Sequence, residues 1–293
     1  MLSTYLSFIR FSHSIFALPF ALTGALLAAN TPSMRDASSR GLAISWWQIG
    51  WIVVAMVAAR SAAMGFNRLV DADYDGRNPR TAMREIPRGA ISRPAAAVFV
   101  AVSAAIFVGA AAQLGWICFA LSPVALAIVF WYSLAKRYTP YTQAFLGLAM
   151  AVAPVGGWLA AGGPIGAAEP WLLGLAIGLW VGGFDVLYAC QDIAFDRAHG
   201  LQSVPTRFGV SRSLTISRAM HVAAIVVMAV LGQVASLGPV YLTGVGLVAL
   251  LLIYEQSLVS ATDLSQVKRA FDLNGYVGIL YLVTTAIAVY VAP

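Results

Sequence analysis

Asp71 and Asp75 stand four residues apart, and so do Asp192 and Asp196. On a helix, residues at that spacing share a face. Asn67 extends the first pair by one turn and Tyr188 extends the second. The spacing therefore predicts two polar stripes, Asn67–Asp71–Asp75 and Tyr188–Asp192–Asp196. Asp185, seven residues before Asp192, falls on the second stripe at a greater depth, whereas Asp73 points elsewhere and is expected to be solvated. Clustered carboxylates repel one another and are costly near hydrocarbon; a divalent cation is the simplest compensation. The donors are all oxygen, with no supporting His or Cys, which favours Mg2+ over zinc. Mg2+ held by one or two carboxylates completes its shell with water and substrate phosphates. A single such pair at a membrane boundary would more often face water or a loop arginine. Two pairs at matched places in the chain weigh toward a metal and diphosphate site.

The basic residues nearby have two readings. Arg77, Arg80, Arg84, Arg88 and Arg93 follow the first pair, and Arg197 and Arg207 follow the second. Guanidinium groups grip phosphate oxygens in a bidentate fork. Arginine is also common in cytoplasmic membrane loops for topological reasons alone. Arg80 is the expected phosphate ligand among them. Lys136 and Arg137, at the end of an apolar run, admit the same two readings. Arg60 lies seven residues before Asn67 on the same face, toward the membrane interior, where it requires an anion. Asp185 and a substrate carboxylate are the two candidates. His13 stands near one end of the first apolar run, where a lone histidine is more often structural than catalytic. Tyr132 and Tyr188 are placed near the acids, where an aromatic face stabilises a carbocation.

The elements that must position these residues follow from composition. Of 293 residues, 60% are hydrophobic and only 10% charged, against about 25% charged in soluble domains. That excludes a soluble domain, a disordered chain, a disulfide scaffold and a coiled coil. The apolar runs are long and unbroken, unlike the alternating segments of a β-barrel. Nine runs approach the length of about 20 residues that a spanning helix needs: 11–29, 45–66, 94–113, 116–134, 141–160, 171–190, 212–232, 237–257 and 274–292. The expected fold is an all-α, polytopic membrane protein. Arg10, Arg68, Arg77, Arg80, Arg84, Arg88, Arg93, Lys136, Arg137, Arg197, Arg207, Arg212, Arg218, Lys268 and Arg269 fall on one side of such a layout. Arg35 and Arg40 fall on the other, and Arg60 lies within a helix. The positive-inside rule then puts the N-terminus in the cytoplasm, the C-terminus outside and both acidic motifs on the cytoplasmic side. The net charge of +6 follows from this asymmetry, and no nucleic-acid-binding motif accompanies it. Cys118 and Cys190 lie in separate apolar runs and imply neither a disulfide framework nor zinc.

The two acidic pairs are offset by 121 positions in both members. Each is followed by a polar stretch containing proline and arginine: Ile86-Pro87-Arg88-Gly89 in one case, Val204-Pro205-Thr206-Arg207 in the other. This reads as a single domain over residues 1–293 with a weak internal duplication, about 1–134 and 141–293.

Together these motifs resemble the UbiA superfamily of intramembrane prenyltransferases. The first family motif reads here Arg60-Ser-Ala-Ala-Met-Gly-Phe-Asn67-Arg-Leu-Val-Asp71-Ala-Asp-Tyr-Asp75. The second reads Asp185-Val-Leu-Tyr-Ala-Cys-Gln-Asp192-Ile-Ala-Phe-Asp196, followed by His199-Gly-Leu-Gln-Ser-Val-Pro205-Thr-Arg-Phe-Gly209. Arg68 replaces the Asp that often follows the Asn, and Asn78-Pro79-Arg80-Thr81 and Arg84-Glu85-Ile86-Pro87 are distinctive. This form resembles the 4-hydroxybenzoate polyprenyltransferase-like branch, which includes enzymes of the futalosine route to menaquinone, whose acceptor is a dihydroxynaphthoate. The resemblance implies nine helices around a central cavity, Mg2+ between the Asp motifs, an isoprenyl diphosphate donor and an aromatic acid acceptor, all within lipid at a bacterial-type inner membrane. It implies transfer of a polyprenyl group to a hydroxylated ring in ubiquinone or menaquinone biosynthesis. Two other readings stay open on the residues alone: a transporter of an anionic or lipid-like substrate, and a non-catalytic lipid-binding subunit.

Overall fold

The computed structural model describes residues 7–8, 17–30 and 44–291. His13, and with it Arg10, Arg35 and Arg40, lies outside the described residues. Within them every regular element is helical. In chain order these are α1 (Leu18–Asn30), α2 (Trp46–Val70), α3 (Ala72–Arg77), α4 (Arg93–Gln113), α5 (Trp116–Ala135) and α6 (Thr142–Ala160). Then come α7 (Glu169–Ala189), a 3-10 turn (Cys190–Asp192), α8 (Ile193–Ala198), α9 (Val204–Val234), α10 (Gly238–Ser257) and α11 (Val267–Val291). Among the described residues, eight helical segments are long and apolar enough to cross a membrane, and α1 contributes a shorter apolar stretch. The chain is an integral membrane protein. The run expected at 212–232 begins earlier in the structure, at Val204, with a non-helical break at Gly209 (φ 77°, ψ 168°), where the absence of Cβ makes that backbone accessible.

Local chemistry sets the helix starts. Ser45 and Gln48 form a capping box at the head of α2, and Ser203 and Thr206 form one at the head of α9. Ser92 accepts from the Ala95 backbone N–H at the head of α4, with proline in the first turn. These side chains satisfy N–H groups that a helix leaves unbonded.

Sequential long helices pack side by side, α2 on α4, α4 on α5, α5 on α6, α6 on α7, α7 on α9, α9 on α10 and α10 on α11. Helix α1 closes the circuit against α11 and α2, and it also packs closely on α6. Small residues permit that last contact: a Cβ on Gly157 would stand 1.9 Å from the Ala21 carbonyl oxygen, and one on Gly24 would stand 2.1 Å from that of Pro154. Close backbone approach of this kind replaces the hydrophobic drive that lipid removes between helices. Around it Phe20 meets Trp180 edge to face at 5.1 Å, and Trp158 and Trp180 are fully buried. Between α10 and α11 the Tyr241 and Tyr281 hydroxyls are 2.6 Å apart. Ile106, Val124, Val226, Ile253 and Ile287 cover the outside and are exposed, as a lipid-facing surface requires.

Replacing Gly157 with alanine should force α1 off α6 and destabilise the fold by about 1–3 kcal/mol. The same change at the adjacent Gly156, where a Cβ would meet nothing within 4 Å, should be neutral or slightly stabilising. Thermal unfolding in detergent, followed by tryptophan fluorescence, compares the two. Equal melting temperatures would contradict the packing described.

Candidate active site

Both acidic motifs sit where a long helix ends. Helix α2 stops at Val70, and Asp71 (φ −92°, ψ 2°) is at once its C-cap and the N-cap of α3. Helix α7 stops at Ala189, and after the 3-10 turn Asp192 (φ −99°, ψ 3°) is the N-cap of α8. Each motif thus bends at its first aspartate rather than running as one straight helix. The four-residue relation survives the first bend, because the Asp75 N–H still donates to the Asp71 carbonyl at 2.8 Å.

The bends bring the acids onto basic side chains. Asp71 is buried, at 2% exposure. It accepts from the Asn67 amide at 3.3 Å, from Lys136 Nζ at 3.0 Å and from Arg137 Nη2 at 3.2 Å. Arg137 also donates to the Val70 carbonyl, and its guanidinium lies over the Tyr74 ring, 5.5 Å from the centroid. Asp75, also buried, takes Arg84 Nη1 between its two oxygens at 2.7 and 2.8 Å. Asp192 receives the Arg80 fork, Nε at 3.0 Å and Nη2 at 2.7 Å. Asp196 has Lys136, Asp192, Arg80 and Asp71 as its charged neighbours. Asp73 is surface-exposed and pairs with Arg93.

These contacts join the two halves of the chain. Arg80 comes from the segment after the first motif and binds the second. Lys136, at the end of α5, pairs with Asp71 and faces Asp196 and Asp185 as well. Its carbonyl accepts from the Gln202 N–H at 2.7 Å, which ties in the segment after the second motif. Among the described residues no three His, Cys, Asp or Glu side chains converge as a closed metal cage. A paired-carboxylate site completed by substrate and water needs no such cage, and the hard oxygen donors of Asn67 and the four aspartates fit Mg2+.

Behind the acids lies a cavity of about 640 Å3 bounded by α1, α2, α4, α5, α6 and α7 and lined almost wholly by apolar side chains. Arg60 and Tyr132 are its polar exceptions nearest the acids. Tyr132 has Arg60, Asp71 and Asp185 as charged neighbours, which links the cavity to the acidic cluster. Leu121, Val124, Leu148, Trp171 and Leu175 line the cavity and are themselves exposed, so it is open rather than sealed.

Of the residues singled out by spacing, Asn67, Asp71, Asp75, Arg80, Lys136, Arg137, Asp192 and Asp196 gather at one end of the bundle, and Arg60 and Asp185 lie one level deeper. Tyr188 turns away, with its ring 4.7 Å from that of Phe271. Arg84 and Tyr74 are prominent in the structure without having stood out from their neighbours in the chain. Arg84 reaches Asp75 from a turn-rich segment that carries no helical periodicity, and Tyr74 lies between two acids that drew attention first.

The arrangement defines an intramembrane protein with two mirrored acidic motifs facing one another across a basic cluster, above an apolar cavity. The UbiA prenyltransferase family model matches residues 17–281, and the chain belongs to that family. The 4-hydroxybenzoate octaprenyltransferase of Citrobacter koseri is 30% identical over 247 residues, covering 81% of this chain and 83% of that protein. The apo structure of a UbiA homolog from Aeropyrum pernix K1 matches with a TM-score of 0.83 and 35% identity, over 94% of this chain and 98% of that one. A UbiA homolog from Archaeoglobus fulgidus, bound to GPP and Mg2+, shares the fold with a TM-score of 0.72 at 18% identity, over 98% of this chain and the whole of that one.

The Arg80–Asp192 contact should couple the two motif segments. Arg80→Gln and Asp192→Asn, alone and combined, are expected to show a coupling of about 0.5–1 kcal/mol in a double-mutant cycle of thermal stability. Strictly additive effects would show that the contact contributes nothing.

Proposed function

We propose that this chain transfers a polyprenyl group from an isoprenyl diphosphate to the ring of a hydroxylated aromatic acid, as a step in quinone biosynthesis. The observation that carries this reading is the meeting of both acidic motifs and their basic partners beside an open apolar cavity, to which Arg60 and Tyr132 connect them. A prenyl donor has the matching shape: a long apolar tail and a multiply charged head. Relatives that are 4-hydroxybenzoate octaprenyltransferases and a homolog that binds GPP and Mg2+ support the same chemistry. The acceptor is 4-hydroxybenzoate or a dihydroxynaphthoate.

Asn67, Asp71, Asp75, Asp192 and Asp196 would hold the metal. Bound there, Mg2+ supplies Lewis-acid neutralisation of the diphosphate leaving group. Arg80, Lys136 and Arg137 bind diphosphate oxygens and stabilise the charge that grows on them as the allylic C1–O bond breaks. The bonding pair leaves with the diphosphate, C1 becomes cationic, and a ring carbon of the acceptor attacks it. The ring then loses the proton from that carbon. Apolar walls exclude water, which would otherwise trap the cation, and Tyr132 offers an aromatic face beside it. Arg60 is the partner for the acceptor carboxylate, and Asp185 orients its hydroxyl. Tyr188, packed on Phe271, supports the helix end from behind.

The wider arrangement follows from the same features. The motif end faces the cytoplasm of a bacterial-type inner membrane, supported by the concentration of Lys and Arg beside both motifs. The N-terminus then lies inside and the C-terminus outside, with nine spans surrounding a central cavity. The chain is one domain with two related halves; in support, α3 and α8 are each six residues long and each begins directly after the first aspartate of its motif. A carrier would place its acids near the bilayer midplane, and here they stand at helix ends.

Membranes containing the protein, given a polyprenyl diphosphate and both acceptors, should yield one prenylated product, identified by mass spectrometry of extracted lipid. Chelation of Mg2+ should abolish it. Asp71→Ala and Asp192→Ala should each lower the rate on the order of 100-fold or more. Undiminished product under any of these conditions would overturn the mechanism.

A further inference from the structure

The bases that hold the motif carboxylates are themselves well suited to phosphate. Lys136 and Arg137 pair with Asp71, Arg84 with Asp75 and Arg80 with Asp192. Four bases thus stand among four motif acids, and their charges balance. A cation entering alone would meet carboxylate oxygens already engaged by ammonium or guanidinium groups, and it would leave the cluster positive. A diphosphate entering alone would meet bases already engaged by carboxylates and leave the cluster negative. Entering together, each takes the partners that the other's arrival releases. Charges this close are poorly screened at a partly buried site, so either one entering alone is disfavoured.

Arg84 is the base best placed to make this exchange. It bridges both oxygens of Asp75 through a single nitrogen, Nη1. Its side chain is 22% exposed, whereas that of Asp75 is 8% exposed. The guanidinium therefore sits at the water-facing side of a buried acid, on a long flexible stem. A rotation of that stem exposes the Asp75 oxygens and carries the fork to wherever a diphosphate is held.

We propose that Arg84 is a positioning residue: an exchangeable counter-ion of Asp75 that, with Lys136 on Asp71, makes metal binding and diphosphate binding depend on one another. This rests on the metal and diphosphate role proposed above for the acids. Linkage requires the dependence to be reciprocal. Metal must tighten diphosphate by the same factor that diphosphate tightens metal.

Binding of Mn2+ to the purified full chain, followed by electron paramagnetic resonance with and without inorganic pyrophosphate, tests this without turnover. In the wild type, saturating pyrophosphate should tighten Mn2+ by about tenfold or more. Arg84→Gln should tighten Mn2+ alone by about three- to tenfold and shrink the gain from pyrophosphate by a similar factor. Arg84→Lys should keep the wild-type pattern. Lys136→Gln should shift Mn2+ binding in the same direction through Asp71, and it serves if Arg84→Gln fails to fold. Metal affinity that is unchanged or weaker in both glutamine variants, with wild-type melting profiles, would overturn the exchange while leaving the metal site intact. No Mn2+ binding by the wild type, even with pyrophosphate, would instead remove the metal reading of the acids, and this inference with it.

Discussion

Carboxylates brought together at the edge of an apolar bundle must be neutralised, and the rest of this structure is arranged around that requirement. Asp71 and Asp75 come from one half of the chain and Asp192 and Asp196 from the other. Packed side by side without cations they would repel strongly in a medium that screens poorly. Lys136 answers most of this, because it pairs with Asp71 and faces Asp185 and Asp196. Arg137 adds to it at Asp71, Arg84 holds Asp75, and Arg80 crosses from the first motif segment to Asp192. The same charges are of the kinds that the proposed metal and diphosphate would each require.

Position along the helices then separates the chemical tasks. The acids lie where α2 and α7 end, so their carboxylates reach the polar boundary while the helices beneath remain apolar. Arg60 stands eleven residues before Asp71 on α2, about 16 Å away along the helix, and opens into the cavity. Tyr132 joins the two levels from α5. A charged head, a reacting centre and an apolar tail can each be met at a different depth. The glycine contacts between α1 and α6 hold one wall of that cavity in place.

Much of this could be read from the chain. The scarcity of charge revealed a membrane protein, and the nearly repeated four-residue acid spacing singled out the residues that gather at the bundle end. Helix boundaries were readable to within a few residues, except at two starts: α9 begins at a polar capping box ahead of the apolar run, and α11 begins at Val267, seven residues before the run expected at 274–292, because its first turns carry Lys268, Arg269 and Asp272. Arg84 was not distinguishable from its neighbours, because the turns between Asn78 and Ser92 impose no period from which a direction can be inferred. Tyr188 shares the acid stripe by spacing, yet its ring packs on Phe271 of α11, a tertiary contact that the spacing does not encode. Asp71 and Asp192, where the bends fall, also take tertiary contacts from Lys136, Arg137 and Arg80, which no local pattern encodes.

The central claim is that the two motifs form one site. Crystals of the protein grown with Mn2+ and a non-hydrolysable prenyl diphosphate analogue would test it by anomalous scattering at the manganese edge. If the two motifs form one site, anomalous peaks fall between the Asp71/Asp75 and Asp192/Asp196 carboxylates, with diphosphate density touching both sets through the metal. Manganese bound elsewhere, or on one motif with the diphosphate away from the other, would contradict it.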